Sequence, residues 1–146
     1  MAAGFKFVDP AISARAIELP VTSATYAVGD LIETIGGTAT WAACTSTTDH
    51  FTRKAVVTKG GTTVTTVYAV VLTGNELIEV ESANNSAAAD RGDRMTLTDS
   101  NTVNNTGTDV TGQAVSFQQF GELGAAADKR LLGYVIVGNG VDPDAA

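Results

Sequence analysis

Cys44 and His50 carry the most obvious catalytic chemistry in the chain, and each is the only residue of its type. A thiol beside an imidazole base can act as an activated nucleophile. Asp49 precedes His50 and has the carboxylate that orients such a base, but adjacent strand residues point to opposite faces. No Gly-x-Ser-x-Gly motif supplies a serine nucleophile instead. Because no spacing brings Cys44 and His50 together, we predict a small packed cysteine and a chain that is not an enzyme.

Metal and cofactor chemistry would need other clusters of residues. One cysteine and one histidine are too few for a zinc site. The segment 99–109, DSNTVNNTGTD, offers Asp and Asn oxygens to calcium, but its spacing is not that of an EF-hand loop and it lacks the bidentate Glu. The Gly-rich segment 34–40 has neither the Lys nor the helix of a phosphate-binding loop. We therefore predict no catalytic residue, no metal ligand and no cofactor.

Arg91-Gly92-Asp93 spells the tripeptide of integrin-binding adhesion signals. It stands where a polar segment meets the alternating pattern RMTLT of residues 94–98. We predict a structural turn, in which Gly92 adopts a backbone conformation that other residues resist.

Trp41 is predicted to be a core or rim aromatic rather than a platform for sugar binding.

The composition favours a β-rich protein. Hydrophobic residues make up 44% of the 146 residues but aromatics only 6%, so Val, Ile, Leu and Ala must form most of the core. Charged residues are only 17%, and threonine, which is β-branched and favours strands, provides much of the polar surface. Fifteen glycines indicate many tight turns.

The charge and the termini limit the partners. The net charge is −7, and no basic stripe appears, so neither nucleic acid nor a membrane surface is an expected partner. The first residues lack the apolar run of a signal peptide, and no segment approaches the ~20 apolar residues of a membrane helix. One cysteine excludes an internal disulfide framework. We expect a soluble chain made in the cytosol.

The pattern of strands and turns predicts a small β-barrel or sandwich of short antiparallel strands with long polar loops. Gly60-Gly61 separates two β-rich runs and predicts a hairpin whose two-residue turn has positive φ. Gly29 and Gly92 are each followed by Asp and an alternating strand, so the two turns look alike. We find no internal repeat with a fixed period.

Residues 1–20 differ from the rest of the chain. They contain Phe5 and Phe7, and Asp9-Pro10 could begin a short helix. We favour an extended N-terminal arm that needs a partner surface, with packing on its own domain as an equal alternative. The predicted organisation is this arm, a β-rich domain at 21–138 and a loose C-terminal tail at 139–146.

Three segments resemble known proteins of tailed bacteriophages. ELPVTSATYAVGDLIE, residues 18–33, resembles the opening of small head proteins. AADRGDRMTLTD at 88–99 and AVSFQQFGELGAAADKRLLGYVIV at 114–137 resemble capsid decoration (cement) proteins, most closely in AADKR at 126–130. The likeness extends over residues 16–137 in style more than in identities, and Trp41 to His50 fits it less well.

The resemblance implies a non-enzymatic structural protein on the outer capsid surface of the virion, made in the cytoplasm of the bacterial host. Its partner would be the major capsid protein, and it would form a homo-oligomer, a trimer at local three-fold points, that binds after expansion and stabilises the capsid by bridging its subunits. The N-terminal arm would add a strand to a capsid-protein sheet. Here Phe5, Phe7 and Val8 would form that capsid-binding arm.

Other function classes stay open beside this one. A head-fibre base or a tail protein of a virion would also be a β-rich structural protein. A β-rich adhesion or ligand-binding module would use Trp41 or Arg91-Gly92-Asp93.

Overall fold

The computed structural model of the chain describes residues 4–35, 39–48, 50–84, 91–108, 116–122 and 129–138. Within these ranges the fold is mainly β, and its strands close into two small five-stranded barrels, which confirms the predicted fold class. A 3₁₀ helix, Pro10–Arg15, begins after the cap Asp9 and precedes the first barrel. The strands are β1 Lys6–Phe7, β2 Ile17–Tyr26, β3 Leu31–Thr34, β4 Trp41–Ala43, β5 Lys54–Lys59, β6 Gly61–Val71, β7 Ile78–Ser82, β8 Arg94–Leu97, β9 Thr102–Thr108, β10 Phe117–Glu122 and β11 Arg130–Val135.

The first barrel contains β2 to β6 in the order β2-β4-β3-β5-β6, and β6 pairs back onto β2. β2 and β4 are parallel, and the other neighbouring strands are antiparallel. Because side chains alternate along a strand, every second residue points into the barrel. The buried cluster of this barrel consists of Leu19, Val21, Tyr26, Ile32, Trp41, Ala55, Val57, Val67 and Ala69.

The second barrel contains β7 to β11 in the order β7-β11-β10-β8-β9, and a parallel pairing of β9 with β7 closes it. β11 pairs with β7 along one edge of that strand. β1 and β9 share the other edge, because Phe7 pairs with Ile78 whereas Val103 pairs with Ser82. The N-terminal strand therefore extends the sheet of the second barrel, although it stands next to the first barrel in the sequence.

The two barrels repeat one another strand by strand. In each barrel the first strand pairs in parallel with the third. All other pairs are antiparallel: the third strand with the second, the second with the fourth, the fourth with the fifth and the fifth with the first. The register repeats as well, because Ile17 pairs with Ala69 as Ile78 pairs with Gly133. The chain therefore contains the same barrel topology twice, which is an internal duplication of structure.

The Gly-Asp turns and the irregularities of the fourth strands also repeat. Gly29 and Gly92 hold positive φ values of 94° and 84°. The Gly29 amide donates to the Val57 carbonyl at 2.8 Å, and the Gly92 amide donates to the Gln119 carbonyl at 2.9 Å. Val57 and Gln119 both directly precede a register shift in the pairing of the fourth strand with the fifth. The likeness of the two turns in the sequence thus marks equivalent points of the repeat.

The outer faces of the two barrels differ more than their topology does. Across β3, β5 and β6 the first barrel presents an apolar row that is buried in the core between the barrels. Across β8, β10 and β11 the equivalent row is polar or aromatic and reaches solvent. The apolar row is Leu31, Val56 and Val70, and its counterparts are Arg94, Gln118 and Tyr134.

The apolar row covers one end of the second barrel. Loops at that end bind the first barrel, since the Leu31 amide donates to the Ser100 carbonyl at 2.7 Å and the Gly138 amide donates to the Thr52 carbonyl at 2.9 Å. A single buried cluster includes the apolar row and the side chains of this end. Ile78, Leu97 and Val135, the side chains at the covered end, are 0 to 2% exposed.

The structure corrects the assignment of an extended arm at residues 1–20. Phe5 and Phe7 are only 2% and 7% exposed, in the core between the barrels, and the Phe5 ring meets Phe117 edge-on at 6.4 Å. The Phe5 amide also donates to the Gly29 carbonyl at 2.8 Å. Residues 17–20 belong to β2, so the described N-terminal segment is residues 4–16, and it packs on its own chain.

The structure confirms that the two runs flanking Gly60-Gly61 pair as antiparallel strands, but it corrects the predicted two-residue turn between them. Neither glycine has positive φ, and the pairing of β5 with β6 ends at Lys59 and Tyr68, so the connection is not a two-residue turn. Residues 61–67 instead run along β2. Gly60 is required for a different reason: a side chain there would collide with the carbonyl of Tyr26. The tail at 139–146 and the segment 126–128 lie outside the described residues.

Replacing Gly92 by Val should lower the free energy of unfolding by about 1–3 kcal/mol, because Val resists positive φ. Apart from Gly92 and its two chain neighbours, no heavy atom of the described residues lies within 4 Å of a Cβ built on Gly92, so strain rather than crowding should dominate. Thermal unfolding of Gly92→Val and Gly92→Asn checks this, because Asn enters the left-handed region more readily. Equal melting temperatures for both variants and the wild type would contradict it.

Candidate interaction surfaces

Cys44 is buried in the core between the barrels and is 3% exposed. Burial raises the pKa of the Cys44 thiol, and the nearby carboxylate of Glu33 raises it further, against smaller opposing effects of Lys54 and Thr48. A buried, protonated thiol is a poor nucleophile. His50 lies on the loop before β5 with its ring edge-on to Phe51 at 6.5 Å. The structure therefore does not arrange Cys44 as an activated nucleophile, and Asp49 lies outside the described residues.

The Arg91-Gly92-Asp93 tripeptide forms an exposed turn before β8. Its main chain is held by β10, because Gly92 donates to the Gln119 carbonyl and the Gln119 amide donates to the Asp93 carbonyl at 3.0 Å. Val57 holds the Gly29-Asp30 turn of the first barrel in the same way. This shared geometry gives the tripeptide a structural role, and adhesion stays an alternative prediction.

The Asp and Asn side chains of 99–109 serve the polypeptide rather than a shared ligand. The Asp99 carboxylate accepts from the Asn101 amide at 2.9 Å, and the Asn105 side-chain oxygen accepts from the Asn84 amide at 3.0 Å. Asp109 lies outside the described residues. Within the described ranges, His, Cys, Asp and Glu side chains nowhere gather in groups of three that could hold a metal ion.

Trp41 points into the first barrel as part of its core.

The N-terminal segment leaves a groove against the first barrel. The groove encloses about 240 Å³, and its lining is largely apolar. Val28, on its rim, is 67% exposed, and Val8 of the same segment is 48% exposed. We call this feature the N-terminal groove; it is lined by Phe5, Lys6, Phe7, Pro10, Ser13, Val28, Val56, Val57 and Thr58. Of the predicted capsid-binding residues, only Val8 is therefore available to a partner, whereas Phe5 and Phe7 form the floor of the groove and the core beneath it.

Glu76 ties the N-terminal segment to the linker between the barrels. Its carboxylate accepts from the amides of Thr73 and Gly74 at 3.0 to 3.1 Å and from the Thr73 hydroxyl at 2.9 Å. Arg15, at the end of the 3₁₀ helix, donates to it at 3.2 Å. Burial acts to raise the pKa of Glu76, but these hydrogen bonds outweigh it and hold the pKa below its usual value. No local sequence pattern predicts this anchor, because Arg15 and Glu76 are 61 positions apart.

Comparison with known proteins adds no family assignment. No family model, no curated protein and no solved structure matches the chain. In the part of the chain that the structure describes, no helix has the length and apolar character needed to cross a membrane.

Native Cys44 should resist thiol reagents and react only after unfolding, because its side chain is buried and its pKa is raised. Titration with Ellman's reagent should find roughly one reactive thiol per chain in urea, with native labelling slower by a factor of at least about 100. Rapid labelling of the folded protein would contradict the buried site and would reopen the nucleophile hypothesis.

Glu76→Gln should lower the free energy of unfolding at pH 7 by about 1–2 kcal/mol, because it removes charge-assisted hydrogen bonds. Since the folded-state pKa of Glu76 lies below its ordinary value of 4.5, this stabilisation is complete above that pH and is lost as the pH falls through the lowered value. Urea unfolding at several pH values checks this. The control is Glu18→Gln, at an exposed residue of β2. A deficit for Glu76→Gln that persists undiminished in acid would contradict the account.

Proposed function

We propose that this chain is a structural protein of a bacteriophage virion, a decoration (cement) protein that binds the outside of the capsid and stabilises it by bridging capsid subunits. The proposal starts from the resemblance of residues 18–33, 88–99 and 114–137 to phage head proteins. The observation that carries it further is the N-terminal groove, an apolar surface with exposed Val28 on its rim and exposed Val8 on the same N-terminal segment. The partner is the major capsid protein.

The groove is preformed by burial and strand pairing, which favours binding. Phe5 and Phe7 are fixed in the core below it, and β1 is paired to β7, so a partner need not order this segment. Preorganised surfaces lose less conformational entropy on binding. Covering an exposed valine contributes about 1.5 kcal/mol, which is modest for one contact. Many copies on one shell would add such contacts to a strong total reinforcement.

The proposed mechanism therefore differs from strand donation by a free arm. The Phe rings already contribute to the core between the barrels, and the backbone of β1 already pairs with β7. Releasing the segment would expose both rings and break these hydrogen bonds. A capsid segment that enters the N-terminal groove requires no such release.

Co-sedimentation with expanded and unexpanded empty phage heads tests the proposal. The wild-type protein should bind expanded heads saturably, and Val28→Asp should weaken that binding at least about tenfold by placing a charge on the groove rim. Thr65→Asp, at an exposed residue of β6 outside the groove lining, is the matched control and should bind as the wild type does. Melting temperatures confirm that both variants fold.

Two results would count against the proposal in different ways. Failure to bind either form of the head would contradict the decoration role and would favour another virion protein or the adhesion module. Binding that Val28→Asp leaves unchanged would keep the role but remove the groove as the contact.

A further inference from the structure

Because the barrel topology is repeated, each barrel has an outer face and an end in equivalent positions. The contact within the chain uses one of these surfaces from each barrel. The first barrel contributes its outer face, the apolar row Leu31, Val56 and Val70. The second barrel contributes its end, which that row covers. The remaining pair of surfaces is the end of the first barrel and the outer face of the second.

Among the described residues, the side chains at the equivalent end of the first barrel are more exposed than their counterparts. Ile17 holds the position of Ile78, but it is 52% exposed whereas Ile78 is fully buried. Val71 is half-buried, whereas its counterpart Val135 is 2% exposed. This end, defined by Ile17, Thr34 and Val71, is called the open end. Its apolar side chains lack the cover that the same positions have in the second barrel.

The outer face of the second barrel carries exposed aromatic side chains. Phe120 is 61% exposed, and its ring packs edge-on against Tyr134 at 6.3 Å. Gln118 and Arg94 continue the row across β10 and β8. We call these four residues the aromatic patch. Aromatic residues and arginine are enriched in protein interfaces and at their energetic centres, whereas a merely solvated face favours Lys, Glu and Ser.

We propose that the aromatic patch of one copy docks on the open end of a second copy. The occupant follows from the duplication, because the chain already contains the equivalent contact once, between the apolar row and the end of the second barrel. Charge supports the same partner: Arg94 is exposed on the patch, and Glu18 is exposed beside Ile17 at the open end. In a chain with net charge −7, such a pairing avoids the contact of two acidic faces.

The contact is head to tail, since the patch and the open end are different surfaces on different barrels. Each copy offers one of each, so the assembly grows until it closes into a ring or is capped. The inference stands on the duplicated fold and needs no capsid. Its test in solution can therefore fail or succeed independently of the proposed decoration role.

Sedimentation velocity over a range of concentrations, without phage heads, tests the contact with two variants. Phe120→Ser removes the centre of the patch, and Ile17→Ser removes the centre of the open end. Each alone should weaken association at least about tenfold. Both residues are more than half exposed, so both variants should fold, as melting temperatures will check. Val28→Ser, at an exposed apolar residue of the turn between β2 and β3, at the opposite end of the first barrel, is the control.

Mixing the two variants gives the decisive result. Phe120→Ser retains an intact open end and Ile17→Ser retains an intact patch, so an equimolar mixture should form heterodimers and stop at two copies. A wild-type protein that stays monomeric up to about 1 mM, the weak limit for a specific contact, would overturn the proposal. So would association lost in Phe120→Ser but unchanged in Ile17→Ser, which indicates contact between two patches.

Discussion

The burial of the apolar row of the first barrel against one end of the second is the interaction on which the rest of the structure depends. A domain of about 60 residues hides only a modest share of its surface, so either barrel alone would be marginally stable. Joining Leu31, Val56 and Val70 to the interior of the second barrel makes one larger core. The N-terminal segment completes that core with Phe5 and Phe7, which explains why these rings are not free to reach a partner. Cys44 lies in the same core, which buries its thiol and raises its pKa.

The two barrels share one topology but differ in their outer faces, which explains how one architecture serves two roles. Most interior positions are apolar in both barrels, although Ser82 and Gln119 of the second barrel occupy the positions of Val21 and Val57 in the first. The Gly-Asp turns share their positive φ and their hydrogen bonds. The outer row is Leu, Val and Val in the first barrel and Arg, Gln and Tyr in the second. The first row makes an internal contact, and the second row reaches solvent. The two barrels therefore present different surfaces, as the proposed structural role, which consists of contacts, requires.

The sequence predicted the β-rich barrel because threonine content, alternation and glycine turns act locally. It also showed the likeness of the turns at Gly29 and Gly92, but not the repeat itself. Equivalent residues are 61 positions apart for Ile17 and Ile78 and 64 apart for Val71 and Val135, since the loops differ in length. The outer rows also differ in residue type, Leu, Val and Val against Arg, Gln and Tyr, so the sequences of the two barrels do not match at these positions. The pattern Phe-Lys-Phe is the same whether β1 pairs within the chain or with a partner protein, so alternation alone could not distinguish these two pairings. Gly60 was assigned to a turn because its contact with Tyr26 depends on tertiary structure.

Differential scanning calorimetry of the whole chain tests most directly the claim that the two barrels form one body around a shared core. The account predicts a single transition in which the calorimetric enthalpy equals the van't Hoff enthalpy, because neither barrel keeps a complete core without the other. Two resolved transitions, or a calorimetric enthalpy well above the van't Hoff value, would show that the barrels unfold separately. That result would contradict the shared core and the surface equivalence derived from it.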